Sequence, residues 1–123
     1  MNWSATAAIL LALAVIFGAF GAHALKDRLS PDSMDIWQKA VFYHFVHALG
    51  MLAVAILPRT GTFPESGAST VCLLLLIGIV LFSGSLYLLA VTGTRILGAI
   101  TPLGGISFIL AWLLLAWRLR RIL

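Results

Sequence analysis

Four long apolar segments divide this chain of 123 residues. They run over residues 3–25, 37–57, 70–91 and 96–117, and each is close to the ~20 residues that a helix needs to cross a bilayer. The chain is 62% hydrophobic and 10% charged, whereas soluble domains are roughly half apolar and a quarter charged. The sequence therefore predicts an all-α polytopic membrane protein, a single domain over residues 1–123 that forms an antiparallel bundle of four transmembrane helices.

Capping and turn residues predict where the helices begin and end. Ser30 followed by Pro31 is typical of an N-cap with proline at the first helical position, so the second helix should start in water, before residue 37. The segment 59–69 is rich in Gly, Thr, Ser and Pro and is expected to be a loop. Pro102 lies inside the fourth segment, where it should kink the helix or mark a late start.

Basic residues are balanced between the two ends of the bundle. The end that carries both termini has Arg59, Arg118, Arg120 and Arg121, and the other end has Lys26, Arg28, Lys39 and Arg95. Because the three C-terminal arginines are dense and adjoin a helix end, we predict that both termini are cytoplasmic. A cluster in this position is expected to face the headgroups of the lipid bilayer, which is the predicted partner in place of nucleic acid.

The polar side chains of the four helices fall into one half of the bilayer, the half that faces the first and third loops. The candidate ligand-binding residues at this level are His23, Tyr43, His47, Ser83, Ser85, Tyr87 and Thr101. Polar groups in hydrocarbon cost free energy unless they find partners. The set therefore predicts either a polar pocket that opens towards the loops or hydrogen bonds that only join the helices.

Several ligands are compatible with this set, so the cofactor stays open. His44 and His47 share a helical face and could form a copper or zinc site with His23 as the third ligand, although no metal motif is present and no metal site is predicted. Haem or quinone is the related option, with Trp37, Tyr43, His47 and Tyr87 as the lining. No catalytic residue and no enzyme activity are predicted.

A small proton-linked transporter is a further alternative. Such a protein normally has an ionisable carboxylate within the membrane. The four acidic residues lie instead in loops or at a helix start: Asp27, Asp32, Asp35 and Glu65. Their positions make transport less favoured than binding.

Small residues indicate where helices approach closely. Ala14, Gly18 and Ala22 repeat every four residues along the first helix, a spacing that lets another backbone come near. Gly84 and the pair Gly104 and Gly105 are expected to do the same where the third and fourth helices meet. Such contacts fit packing within the bundle, and they fit a homo-oligomer or a membrane-protein partner equally well.

Four motifs in order resemble one known family. They are residues 18–23 (GAFGAH), Tyr43 with His47 four residues later, residues 81–87 (LFSGSLY) and residues 101–105 (TPLGG). Together they resemble the YgdD-like family of small bacterial inner-membrane proteins, catalogued as domain of unknown function 423, and the resemblance covers essentially the whole chain. It implies four spans in the inner membrane and no established activity.

The resemblance also ranks the histidines. His23 and His47 fit the family pattern, whereas the position of His44 is commonly a glutamine, so His44 is placed outside the candidate site. The resulting hypothesis is a binding or accessory membrane protein with a polar pocket in the half facing loops one and three. A small-molecule, haem, quinone or metal binder and a proton-linked transporter remain the alternatives.

Overall fold

The computed structural model describes residues 1–122 and contains four long helices. The first is Trp3–His23, the second is Pro31–Ile56 and ends in a 3₁₀ turn at Leu57–Thr60, the third is Glu65–Thr92, and the fourth is Leu97–Ile122. Each is long and apolar enough to cross a membrane, and the part of the chain from 1 to 122 contains no strand. The predicted all-α bundle of four spans is confirmed.

The second and third helices both begin at local sequence signals. The Ser30 hydroxyl accepts a hydrogen bond from the backbone N–H of Ser33 at 3.1 Å, with Pro31 at the first helical position. The third helix begins at Glu65, so the expectation of a loop through residue 69 is wrong. A carboxylate in the first turn stabilises a helix N-terminus, and Pro64 immediately before it cannot extend the helix backwards.

The fourth helix passes through Pro102. It begins at Leu97, so the expected late start at the proline is wrong. Pro102 is the sixth residue of the helix and has no N–H, so the hydrogen bond to the carbonyl of Gly98 is missing. The rest of the helix keeps its backbone hydrogen bonds. The helix also continues to Ile122, beyond the expected end at residue 117.

The second helix is central to the packing. It contacts the first helix extensively and also packs on the third, while the fourth packs on the third. Met51, Val71, Cys72, Leu75 and Ala111 are completely buried where the second, third and fourth helices meet. The first helix is the most peripheral, because only three of its 21 residues are buried: Ala7, Ala14 and Gly21.

A π-helical segment, Ile79–Ser83, interrupts the third helix near its middle. A π turn contains one more residue than an α turn, so it changes which side chains of the following helix face a neighbour. The residues after this segment, Gly84–Thr92, include Ser85 and Tyr87. The π segment therefore sets the orientation of two candidate site residues.

Candidate functional site

The candidate hydroxyl groups on the third and fourth helices form hydrogen bonds between helices. The Ser83 hydroxyl donates to the carbonyl of Ala40 on the second helix at 2.8 Å. The hydroxyls of Ser85 and Thr101 are hydrogen-bonded to each other at 2.6 Å. These bonds satisfy the polar groups in a dry environment and join the third helix to both of its neighbours.

His47 lies inside an aromatic stack. Its Nδ1–H donates to the carbonyl of Tyr43, one turn earlier on the same helix, at 2.7 Å. The imidazole ring stacks on Phe108 with ring centroids 3.5 Å apart and planes 15° apart. Tyr43 packs in the same stack, against Phe82 at 4.4 Å. Tyr87 and Ser83, of the same candidate set, bond to other residues.

His44 is buried and contacts a candidate site residue of the third helix. Its side chain is 2% exposed, and its Nδ1 is hydrogen-bonded to the Tyr87 hydroxyl at 2.8 Å. Phe17 and Trp37 complete this cluster, with ring centroids 4.9 Å and 4.7 Å from that of Tyr87. The cluster joins the first, second and third helices, so His44 takes part in the polar contacts between them, and its exclusion from the candidate ligand-binding site stays a prediction.

The periodicity of the second helix predicts that the side chain of His44 is buried. Trp37, Ala40, His44, Ala48 and Met51 are all buried and follow one another at spacings of three or four residues. That spacing is the buried stripe of an amphipathic helix. The fit to the family pattern left His44 out of the candidate site, whereas this stripe predicts that its side chain is buried.

His23 does not join the other histidines. It lies exposed at the end of the first helix, whereas His44 and His47 are buried in the second. Among residues 1–122, no three His, Cys, Asp or Glu side chains lie close enough together to hold a metal ion. The metal alternative built on three histidines is therefore wrong in geometry, whereas ligand binding by His23 stays a prediction.

The glycines between the third and fourth helices differ in how closely they are packed. A Cβ atom placed on Gly104 would collide with the backbone nitrogen of Phe82 and lie 2.8 Å from its Cα. A Cβ atom on Gly105 would lie 3.8 Å from the ring of the same residue, an ordinary contact. Gly84 has only a carbonyl of its own helix, that of Ile79, at 4.0 Å. Close backbone approach therefore belongs to Gly104.

The small-residue stripe of the first helix is only partly in contact with the bundle. Ala14 is buried, and a Cβ atom on Gly18 would lie 3.5 Å from Val41. Ala22 is exposed, so of its two expected contacts, within the bundle or with another protein chain, the one within the bundle is not made. Gly21 takes that role, because the indole ring of Trp37 occupies the space where its Cβ would be.

Two further glycines were not singled out from the sequence. The ring of Trp112 covers Gly50, and the ring of Phe108 covers Gly78, each so closely that a side chain at the glycine would displace it. Neither glycine belongs to a four-residue repeat of small residues. These contacts pair a glycine with an aromatic residue on another helix, a pattern that sequence spacing does not report.

An apolar groove lies between the first and second helices, near the first loop. We call it the loop-one groove. Its volume is about 380 Å³, and it is lined by Gly18, Gly21, Ala22, Met34, Trp37, Gln38, Val41, Phe42 and Phe45. Gln38 has an exposed amide, whereas the Trp37 indole N–H already donates to the Phe17 carbonyl at 3.0 Å. This groove lies at the end of the bundle that carries the first loop, but it is apolar and not the expected polar pocket.

A protein-family model matches most of the chain, including the aromatic cluster. The model described as "Protein of unknown function (DUF423)" matches residues 17–105, from Phe17 in the aromatic cluster to Gly105. The chain belongs to the DUF423 family. The resemblance to a family of unknown function is thereby confirmed.

Relatives of this DUF423 protein carry membrane-protein names. A UPF0382 membrane protein of Staphylococcus epidermidis is 52% identical over 103 residues, which cover 84% of this chain and 82% of the relative. The UPF0382 membrane protein YwdK of Bacillus subtilis is 48% identical over 108 residues, covering 88% and 87%. No solved structure matches the chain. The four apolar helices and these relatives together establish an integral membrane protein.

Proposed function

We propose that this DUF423 protein is a binding or accessory protein of the bacterial inner membrane, which holds a lipid-like molecule in the loop-one groove. The observation that carries the proposal is the groove itself, an apolar space of about 380 Å³ with one exposed amide, that of Gln38. Small-molecule sites have volumes of roughly 300–1,000 Å³, with mostly apolar walls and a few polar groups that orient the ligand. The groove has both properties.

The lining of the groove fits a small amphiphile. Its walls are apolar along Gly18, Val41 and Phe45, and Gln38 supplies an exposed amide. A molecule with an acyl or prenyl chain and a hydrogen-bonding head fits the lining, with its head near Gln38.

The pairing of the polar side chains supports binding over proton-linked transport. Ser83, Ser85, Thr101 and Tyr87 are hydrogen-bonded to other parts of the bundle. The acidic residues Asp27, Asp32, Asp35 and Glu65 are exposed near the helix ends and in the first loop. A proton pathway through hydrocarbon normally uses ionisable groups at intermediate depth. The polar level is better explained as internal hydrogen bonding that holds the helices around the groove.

Filling the groove should weaken binding. Ala22 is exposed and lines the groove, so Ala22→Phe places a ring in it without disturbing a buried contact. Labelling of the purified protein by a photoreactive prenyl or acyl probe in nanodiscs should fall about tenfold, which corresponds to ~1.4 kcal/mol of binding free energy.

The matched control is Ala53→Phe, the same substitution at an exposed alanine of the second helix outside the groove. It should leave labelling unchanged, and mass spectrometry of labelled peptides should locate the probe on groove residues in the unsubstituted protein. Equal labelling of both variants, or probe attached mainly elsewhere, would contradict the proposed site.

We also propose that both termini are cytoplasmic. The start of the first helix and the end of the fourth helix, beside the three C-terminal arginines, would then face the cytoplasm. A reporter that folds only in the cytoplasm, fused after residue 123, should then give a signal. Neutral replacement of Arg118, Arg120 and Arg121 together should reduce or invert that signal, because the imbalance of basic residues next to helix ends sets orientation. A silent fusion to the unsubstituted chain would reverse the assignment.

A further inference from the structure

The end of the bundle opposite the loop-one groove carries an excess of positive charge. The fourth helix places three arginines in its last two turns, and Arg59 follows the second helix at the same end. Of the four acidic side chains, only Glu65 lies here, because the other three are in the first loop and the start of the second helix. Positive segments next to a membrane attract anionic lipids, by about 1 kcal/mol per basic residue.

Two of the three C-terminal arginines are held in defined positions. The guanidinium of Arg121 lies over the Trp117 ring, 4.3 Å from its centroid. That of Arg118 lies at the start of the third helix, where a Cβ atom on Gly67 would be 2.7 Å from Nη1. Arg118 and Arg121 are three residues apart and therefore share a helical face, whereas Arg120 does not lie on it.

The Arg118 side chain has an unused hydrogen-bond donor. Its Nε is buried and has no hydrogen-bond partner among residues 1–122. Glu65, the acidic side chain in the first turn of the third helix, does not accept a hydrogen bond from it. A charged side chain with an unused donor is costly, so the position favours an added anion.

We propose that Arg118 and Arg121 bind the phosphate of an acidic phospholipid at this end of the bundle. The planar guanidinium group matches two phosphate oxygens at once. Trp117 is 46% exposed, and exposed tryptophans of membrane proteins lie at the level of the headgroups. A lipid phosphate is already present at that depth, and its oxygens would pair with the guanidinium groups of Arg118 and Arg121.

Two substitutions that remove the same charge test the site. The full-length protein in a neutral detergent is titrated with phosphatidylglycerol, and bound lipid is counted by native mass spectrometry. Arg118→Gln should weaken binding about tenfold, whereas Arg120→Gln should change it by less than about twofold. Equal weakening by the two substitutions would show general attraction by the cluster and would overturn the proposed site.

A third substitution moves the guanidinium without changing the charge. A Cβ atom on residue 67 would lie 2.7 Å from Arg118 Nη1, closer than to Phe63 at 3.2 Å and Pro64 at 3.3 Å, so Gly67→Ala should displace chiefly the flexible end of Arg118 and weaken lipid binding several-fold. Arg118→Lys keeps the charge but loses the two-pronged geometry, so it should fall between the unsubstituted protein and Arg118→Gln. Unchanged binding by both of these variants would overturn the proposal even if Arg118→Gln failed to fold.

The same titration distinguishes the source of the phosphate. Phosphatidylcholine should bind more weakly than phosphatidylglycerol, because its positive headgroup offsets the phosphate charge. Inorganic phosphate should neither bind with comparable affinity nor displace phosphatidylglycerol, because it lacks the chains that hold the lipid at this depth. Displacement by inorganic phosphate at equal concentration would overturn the assignment to a lipid.

Discussion

Gly104→Ala should lower the free energy of unfolding by about 2–3 kcal/mol, as overpacking of a tight contact typically does. The added methyl group would meet the backbone of Phe82, with its Cα at 2.8 Å. A backbone cannot rotate aside as a side chain can, so the third and fourth helices would have to separate. The measurement is unfolding of the purified protein by a denaturing detergent, followed by circular dichroism.

Gly105→Ala is the matched control, one residue away on the same helix. Its methyl group would make an ordinary contact with the ring of Phe82, at 3.8 Å, and alanine has the higher helix propensity. The unfolding free energy should therefore stay within about 0.5 kcal/mol of that of the unsubstituted protein, the range of uncrowded substitutions. Similar losses for the two alanine variants would contradict the assignment of the close contact to Gly104.

The sequence identified the pair of glycines but could not distinguish their roles. Adjacent residues of a helix point about 100° apart, so only one of Gly104 and Gly105 can face a given neighbour. Which one does so depends on the rotation of the fourth helix against the π segment Ile79–Ser83, which presents the Phe82 backbone. Nothing in the local sequence of that segment indicates the extra residue in its turn, so the contact appears only in the structure.

Features that depend on a single helix were predictable. The number of spans follows from the lengths of the apolar segments, and the start of the second helix follows from Ser30 and Pro31. The half of the bilayer that holds the polar groups follows from counting residues along each helix. Pairing between helices is different, because the bond from His44 to Tyr87 joins residues 43 positions apart and requires the relative rotation of two helices.

The same reason explains the change from a polar pocket to an apolar groove. Depth alone places Ser85, Tyr87 and Thr101 at one level, but it does not say whether they surround a space or bond to one another. In the structure Ser85 is hydrogen-bonded to Thr101, and Tyr87 is hydrogen-bonded to His44. The space instead opens beside Gly18 and Ala22 of the first helix, because small residues leave room beside a helix that large side chains would fill.

His44→Phe should lower the free energy of unfolding by about 1–2 kcal/mol. The ring is retained, but the Tyr87 hydroxyl loses its partner inside the bundle, and an unpaired buried polar group costs about that much. Tyr87→Phe should cost a similar amount for the same reason. The double variant should be less destabilised than the sum of the two by about 1 kcal/mol, within the range of hydrogen bonds between membrane helices.

His47→Phe should have a much smaller effect, within about 0.5 kcal/mol, although His47 is also buried. The Tyr43 carbonyl that it bonds also accepts the backbone N–H of residue 47 in the helical ladder, so removal of the imidazole leaves no unpaired group. A phenyl ring can keep the stack on Phe108. A larger loss for His47→Phe than for His44→Phe, or a double variant that equals the sum of its singles, would show that the pair of His44 and Tyr87 does not carry the polar contact between the second and third helices.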